Sequence, residues 1–369
     1  MNNLATSDEA GSLPYNPGMS HAEILIPFSL PPAELAVDLL QQLHTPALAM
    51  LAGRARPEPE VQPADTFMRS LPHERWLAAR CGLPVAGDDS PPLAPLLLEA
   101  FGQSPAVGRW FVLQPVHIHI ARDHLVLTDQ RQLALEEADS RVLYDIAAPL
   151  FAEAGLQLAW GDALTWFLRA DDWDGLRTAT PDAAAGHNID IWMPKGPHER
   201  AWRKIQNEVQ MHWFGHPLND AREARGLRPV NSLWLWGGAA AQTRAPARIF
   251  SHGINLASWH AAFRPYAGHA GSAGSAAELP RDATRTLAVL DALAHAWLSS
   301  DWGTWLAGMQ ALEAQWFAPL LEGVKSGQHD SLSLVLSDDT RLLQLSVTRG
   351  ALRRFWRKPG LTPLLPPVS

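Results

Sequence analysis

The chain has 369 residues, of which 47% are hydrophobic and 18% charged, with a formal net charge of −8 and a pI near 6.0; this supplies a sizeable core, excludes global disorder, and argues against broad electrostatic capture of nucleic acid or anionic lipid. A lone cysteine, Cys81, excludes an intrachain disulfide and a cysteine metal cluster, and fits a reducing, cytoplasmic setting. Residues 1–18 show no basic-then-apolar leader and no apolar run reaches the ~18 residues of a membrane span, so neither export nor a membrane partner is expected.

Residues 1–18 read as a flexible extension, 19–358 as one α/β unit with an inserted lobe at about 57–185, and 359–369 as a proline-rich tail. Ile24 to Phe28 has strand character and stops at Pro31-Pro32, after which Ala33 to Leu43 repeats apolar residues with the helical period. Pro46 to Arg54 predicts a helix with Thr45 as N-cap, and Pro57 to Pro63 a loop. Helices are expected at Glu74 to Arg80 and Leu93 to Phe101. Trp110 to Ile120 alternates, turns at Ala121 to His124 and resumes at Leu125 to Thr128, which is the pattern of a hairpin. Leu133 to Ala154 is helical, Gln157 to Ala159 and Thr165 to Leu168 are short strands, and Asp171 to Gly186 is a polar loop.

Pro197 to Phe214 is an amphipathic helix, with Trp202, Ile205, Val209 and Trp213 on adjacent turns. A shorter helix, Asn219 to Arg225, is capped by Asn219 and stopped by Gly226; Val230 to Trp236 is an apolar strand running into Gly237-Gly238. Gly268 to Ala277, rich in Gly, Ala and Ser, predicts a loop or linker. Ala283 to Leu298 predicts a strand and helix, Trp302 to Leu321 a long helix, and Ser331 to Leu336 with Leu342 to Val347 a terminal hairpin. Strands alternating with helices at both ends predict a layered α/β sheet, and the hairpins imply mixed strand directions.

The sharpest polar pattern lies at residues 207–238. Asn207 and Gln210 are three apart, hence on one helix face; His216, Asn219 and Arg222 follow; Asn231 opens a strand that ends at Trp236, Gly237 and Gly238. Together they suggest a ligand crevice at the carboxyl end of a strand, where glycine permits close backbone approach. Caps and turns explain each residue separately. His117 and His119, two apart on a strand, face one side in a manner compatible with metal, and equally with imidazoles hydrogen-bonded near a strand edge. Arg222, Arg225 and Arg228 suit a small anionic ligand or ordinary surface pairing with Asp220 and Glu223. Arg353, Arg354, Arg357 and Lys358 interleave with Phe355 and Trp356 and read as a solvated helix end, with nucleic acid an improbable partner. Phosphate-loop, dinucleotide, nucleophile-elbow and HExxH patterns are missing from the sequence.

The segment HPLNDAREARGLRPVNSLWLWGG at 216–238 resembles the bacterial Rpf-type regulatory proteins, as do WFVLQPVHIHIARDHLVL at 110–127, TWFLRADD at 165–172 and LEAQWFAPLLEGVKSG at 312–327, so the likeness covers the chain from about residue 22 onward. His216-Pro-x-Asn219 through Pro229-x-Asn231 to Gly237 is more distantly similar to archaeal-type cofactor-independent phosphoglycerate mutases. That resemblance implies an alkaline-phosphatase-like mixed sheet flanked by helices, here with a smaller helical and hairpin lobe. It also implies a phosphoryl-accepting Ser or Thr and two divalent metals, manganese or zinc, held by Asp and His. The chain departs from this: the first strand reads Ile24-Leu25-Ile26-Pro27-Phe28-Ser29 with no acid, and Ser337-Asp338-Asp339-Thr340 stands where an Asp-His-Gly element is implied. Ser29 suits a cap or turn better than a nucleophile. Three readings follow: a regulatory or ligand-binding protein on a catalytically degenerate frame with no cofactor; a metal-dependent mutase or phosphohydrolase; and a scaffold for a protein partner.

Overall fold

A computed structural model describes residues 20–57, 67–83, 85–122, 124–241 and 246–367; the expected extension at 1–18 and most of the loop at 57–63 lie outside the described residues. The strands are β1 (His21–Ile26), β2 (Arg56–Pro57), β3 (Arg109–Val116), β4 (Ile118–Ala121), β5 (His124–Leu127), β6 (Gln157–Trp160), β7 (Trp166–Arg169), β8 (Ser232–Ala240), β9 (Phe250–Ile254), β10 (Ala267–Gly271), β11 (Arg285–Val289), β12 (Ser331–Ser337) and β13 (Leu342–Thr348).

Seven of them form one mixed sheet in the order β10-β9-β11-β1-β12-β13-β2, parallel from β10 to β12 and antiparallel beyond. The central β1 is covered on both faces, which is why it reads as a continuous apolar run rather than an alternating one. Its one charge, Glu23, is buried and takes a bidentate pair from Arg80 at 2.7 and 2.8 Å and a third bond from Arg285 at 2.9 Å. Burial alone would push its carboxyl up; the two guanidiniums outweigh that and hold it below the ordinary carboxylate range.

A second, antiparallel sheet has the order β6-β7-β3-β8. Strand alternation divides its side chains. Trp110, Val112, Trp234 and Trp236 join the main core; Phe111, Leu113, Leu233 and Leu235 join a separate core under the helices Glu137–Glu153 and Glu199–Trp213, with Trp166, Trp202 and Trp213. Because β8 supplies the fourth strand, this sheet extends past the 57–185 limits expected for the inserted lobe. Among the described residues no helix is long and apolar enough to cross a membrane.

Several local expectations are corrected. The alternating run at 110–120 is two strands, since β8 begins at Ser232 and β3 has no ladder partner past Val116; the hairpin is β4 with β5 alone. The stretch Gly268 to Ala277 is no linker, since β10 occupies its first half beside β9, where small side chains suit a crowded edge. The segment 359–367 is pinned to the body by a bond from the Gly360 N–H to Ala49 O and by the fully buried Leu364. The helix Pro46–Arg54 forms as predicted, but the Thr45 hydroxyl makes no cap bond. Glu313, from a single π-turn inside the long helical run 302–326, instead accepts from the N–H groups of Ala47 at 2.6 Å and Leu48 at 3.1 Å. A distant carboxylate thus satisfies the orphan donors and complements the positive helix end.

Candidate functional site

The polar residues at 207–238 are brought together, and their bonds run to one another and to the backbone. In the helix Glu199–Trp213, Asn207 faces outward, whereas Gln206 and Gln210 face β8. Gln206 donates to Ser232 Oγ and Leu233 O, and Gln210 to Ser232 Oγ at 2.8 Å. The helix-face reading was therefore displaced by one residue: Gln206 and Gln210, one turn apart, form the pair. His216, not Asn219, caps the next helix, Pro217–Ala224, with Nδ1 accepting from the Leu218 N–H at 3.2 Å. Asn219 instead accepts from the Val230 N–H and donates to Val230 O and Trp213 O. Arg222 is fully buried and donates to Arg228 O, Leu133 O and Asp139, which also receives Arg225.

Asn231 extends the ladder just ahead of the first residue of β8. Its N–H donates to Val116 O, and its amide accepts from and donates to Ile118 at 2.8 Å each, carrying the chain across His117. His117 Nδ1 lies 2.8 Å from Pro229 O, its ring stacks on His119 at 5.8 Å, and burial holds it below the ordinary imidazole range. His119 lies 3.3 Å from Thr128 Oγ1. Trp236 Nε1 donates to Gln114. Gly237 and Gly238 lie within β8 rather than after it. They form a bulge, two residues opposite Phe111, with Gly237 at φ +70°. The close approach they permit is to the Phe111 ring, which a Cβ on Gly238 would meet at 2.3 Å.

A second polar cluster lies at the carboxyl edge of the parallel strands, the place where open α/β sheets bind ligands. Here the chain leaving β1 turns at Phe28, which is fully buried at φ +58°, with its ring 5.2 Å from His73 and 5.1 Å from Trp297. Ser29, also buried, donates to Ile26 O at 2.6 Å. Asp291 follows β11, Ser337 ends β12 and bonds His73 Nδ1 at 3.0 Å, and His260 comes from the turn after β9. The opposing wall is drawn from the segment that also builds the second sheet: Arg131 donates to Asp129 and bidentately to Asp182, and His295 Nδ1 meets Asp129 at 2.9 Å. Such junctions between packed layers are common ligand positions.

The electrostatics of this cluster are set by burial. It pushes His73 down to about 3 and His260 down to about 4, leaving both imidazoles neutral at neutral pH. Burial, aided by Asp182, pushes Glu74 up to about 8, so its carboxyl holds a proton while its oxygen accepts from the Leu71 N–H and the Thr180 hydroxyl. Burial opposes the charges of Arg131 and Asp182 as well, but each stabilises the other, keeping the guanidinium protonated and the carboxyl ionised. His260 is the exception in hydrogen bonding: it is 2% exposed, neither ring nitrogen has a bond, and Asp291 stands 3.9 Å from Nδ1. Sequence reasoning missed this cluster because its members come from separate segments with no shared period. The usable signal was Asp291, an acid directly after an apolar strand.

No protein-family model matches the chain, and comparison with curated proteins gives no significant match. Among solved structures, the PH0037 protein from Pyrococcus horikoshii aligns over 94% of this chain and 92% of its own at 13% identity with a TM-score of 0.53. The likeness is one of fold. The cofactor-independent phosphoglycerate mutase from Thermoplasma acidophilum aligns over 94% of both chains at 12% identity with a TM-score of 0.46. The architecture, a large mixed sheet flanked by helices, is consistent with the alkaline-phosphatase-like arrangement implied by residues 216–238.

Among the described residues no group of three or more His, Cys, Asp or Glu side chains is placed to hold a metal ion.

Proposed function

We propose that this chain is a regulatory, ligand-binding protein on an alkaline-phosphatase-like frame, with a polar recognition cluster where the related mutases carry metals and a nucleophile. The observation that carries the reading is the end of β1. The segment 24–29, where the mutase resemblance implies a metal-binding acid, has none: Phe28 is buried against His73 and Trp297, and the neighbouring Ser29 hydroxyl is buried and bonded to Ile26 O. At the end of β12, Asp338 is spent on the N–H groups of Thr340 and Arg341 and on the Arg341 guanidinium. What is left for a ligand is the unbonded imidazole of His260, with Asp291 and His295, each about half exposed, at the rim. A buried imidazole with two free nitrogens can donate and accept at once, which suits a small polar ligand.

The test pairs elemental analysis of the purified protein with a phosphoglycerate mutase assay in added manganese and a thermal-shift screen of small polar metabolites, phosphoglycerates included. The expected result is no stoichiometric metal, no turnover, and a melting shift that His260→Asn abolishes. Two metals per chain together with turnover would overturn the reading in favour of the metal-dependent mutase.

A further inference from the structure

We propose that the loop at 353–358 docks reversibly on the surface of an anionic lipid bilayer, with Phe355 and Trp356 as the inserting tip and the flanking cations as its contact with headgroups. Phe355 is 82% exposed and Trp356 67% exposed, side by side on a chain that buries most of its other tryptophans. Their rings meet edge to face at 5.3 Å and 82°. In the sequence they sit between Arg353-Arg354 and Arg357-Lys358. Among the described residues none of these four cations has a carboxylate partner, and Arg353, Arg357 and Lys358 are exposed.

The loop is tied to the body on both sides. On one side Arg54 donates to Leu352 O, and Ala351 and Leu352 are buried; on the other the Gly360 N–H bonds Ala49 O, and Arg357 donates to Ala55 O. Gly53 lets this segment close down on the helix Pro46–Arg54: a Cβ there would stand 2.5 Å from Lys358 O. Five anchoring features therefore surround two aromatic side chains left in water, and exposure of that kind marks an interaction surface.

The geometry selects the occupant. A single strand of nucleic acid needs successive rings that stack along a groove, whereas these two lie nearly perpendicular. A globular acidic partner needs about 800 Å² of surface on each side, far more than two side chains at a tip offer. A headgroup layer requires neither: it takes an apolar tip to a shallow depth and rewards each nearby cation. The net charge of −8, which argues against broad capture, bears on long-range attraction and leaves this local excess intact. With one short anchor, binding is weak and reversible.

The full chain should be sedimented with vesicles of phosphatidylcholine alone and of phosphatidylcholine with phosphatidylserine, at low and raised salt. Binding is expected only with phosphatidylserine and should weaken with salt. The double change Phe355→Ala with Trp356→Ala is expected to weaken it roughly tenfold or more. Arg353→Gln and Lys358→Gln are each expected to cost about fivefold. Because these side chains are exposed, melting temperatures should stay unchanged, which separates lost docking from lost folding. Absence of vesicle binding by the parent chain, or binding that the double aromatic variant leaves intact, overturns the proposal. Capture of a single-stranded oligonucleotide by the parent chain but not by these variants, without vesicle binding, would reassign the loop to nucleic acid.

Discussion

Arg222 is fully buried, and its guanidinium bonds two backbone carbonyls and one carboxylate, joining the helix Pro217–Ala224 to the start of the helix Glu137–Glu153. Replacing it by methionine keeps the apolar stem and leaves the Leu133 and Arg228 carbonyls without this donor, while Asp139 keeps Arg225. The expected cost is about 3 kcal/mol, set by the unpaired partners rather than by the Coulomb energy of the pair. Urea denaturation measures it, and a loss within about 0.5 kcal/mol, the range of ordinary surface changes, would show that water reaches the two carbonyls. The same logic applies to Asn219 and Asn231. Both bond backbone groups that no strand or helix would otherwise satisfy.

At the scale of elements, the cap of the helix Pro46–Arg54 is a direct test of how far a cap can be read locally. Thr45→Ala removes a buried hydroxyl that bonds nothing, so it should be neutral or slightly stabilising; Glu313→Ala strips two N–H groups of their acceptor and should cost about 1–2 kcal/mol. Thermal melts of the two variants decide it, and a larger loss for Thr45→Ala would restore the local cap. The contrast explains what was legible in the sequence. β1, β12, β13 and the amphipathic helix Glu199–Trp213 could be read because their burial pattern is set by local period and by Pro or Gly stops. The break at His117 could not, because it depends on Asn231, more than 100 residues away, which is unusual as a residue but silent about its partner. The bulge at Gly237-Gly238 was visible as glycine, and its cause, the Phe111 ring, was not.

For the molecule as a whole, the buried cluster between the two sheets makes stability depend on pH in opposing ways. Glu74, pushed up to about 8 from an ordinary 4.5, keeps a proton that the unfolded chain gives up. The stability it contributes is full below 4.5 and is lost as the pH rises through 8. His73 and His260, lowered from 6.5 to about 3 and about 4, contribute stability that is full above 6.5 and lost as the pH falls through those values. Glu74→Gln should therefore gain on the parent chain by at most about 1.4 kcal/mol per pH unit between these limits, a difference that denaturation at several pH values would reveal or refute. The central place of β1 bears on the order of folding. It precedes both of its neighbours in the chain, which pair with it at Arg285 and Ser331, so it waits for β11 and β12, while all four strands of the second sheet have already emerged. During that wait Glu23 is the one acid amid Ile24, Leu25 and Ile26, and it opposes self-association of the nascent strand until Arg80 and then Arg285 settle on it.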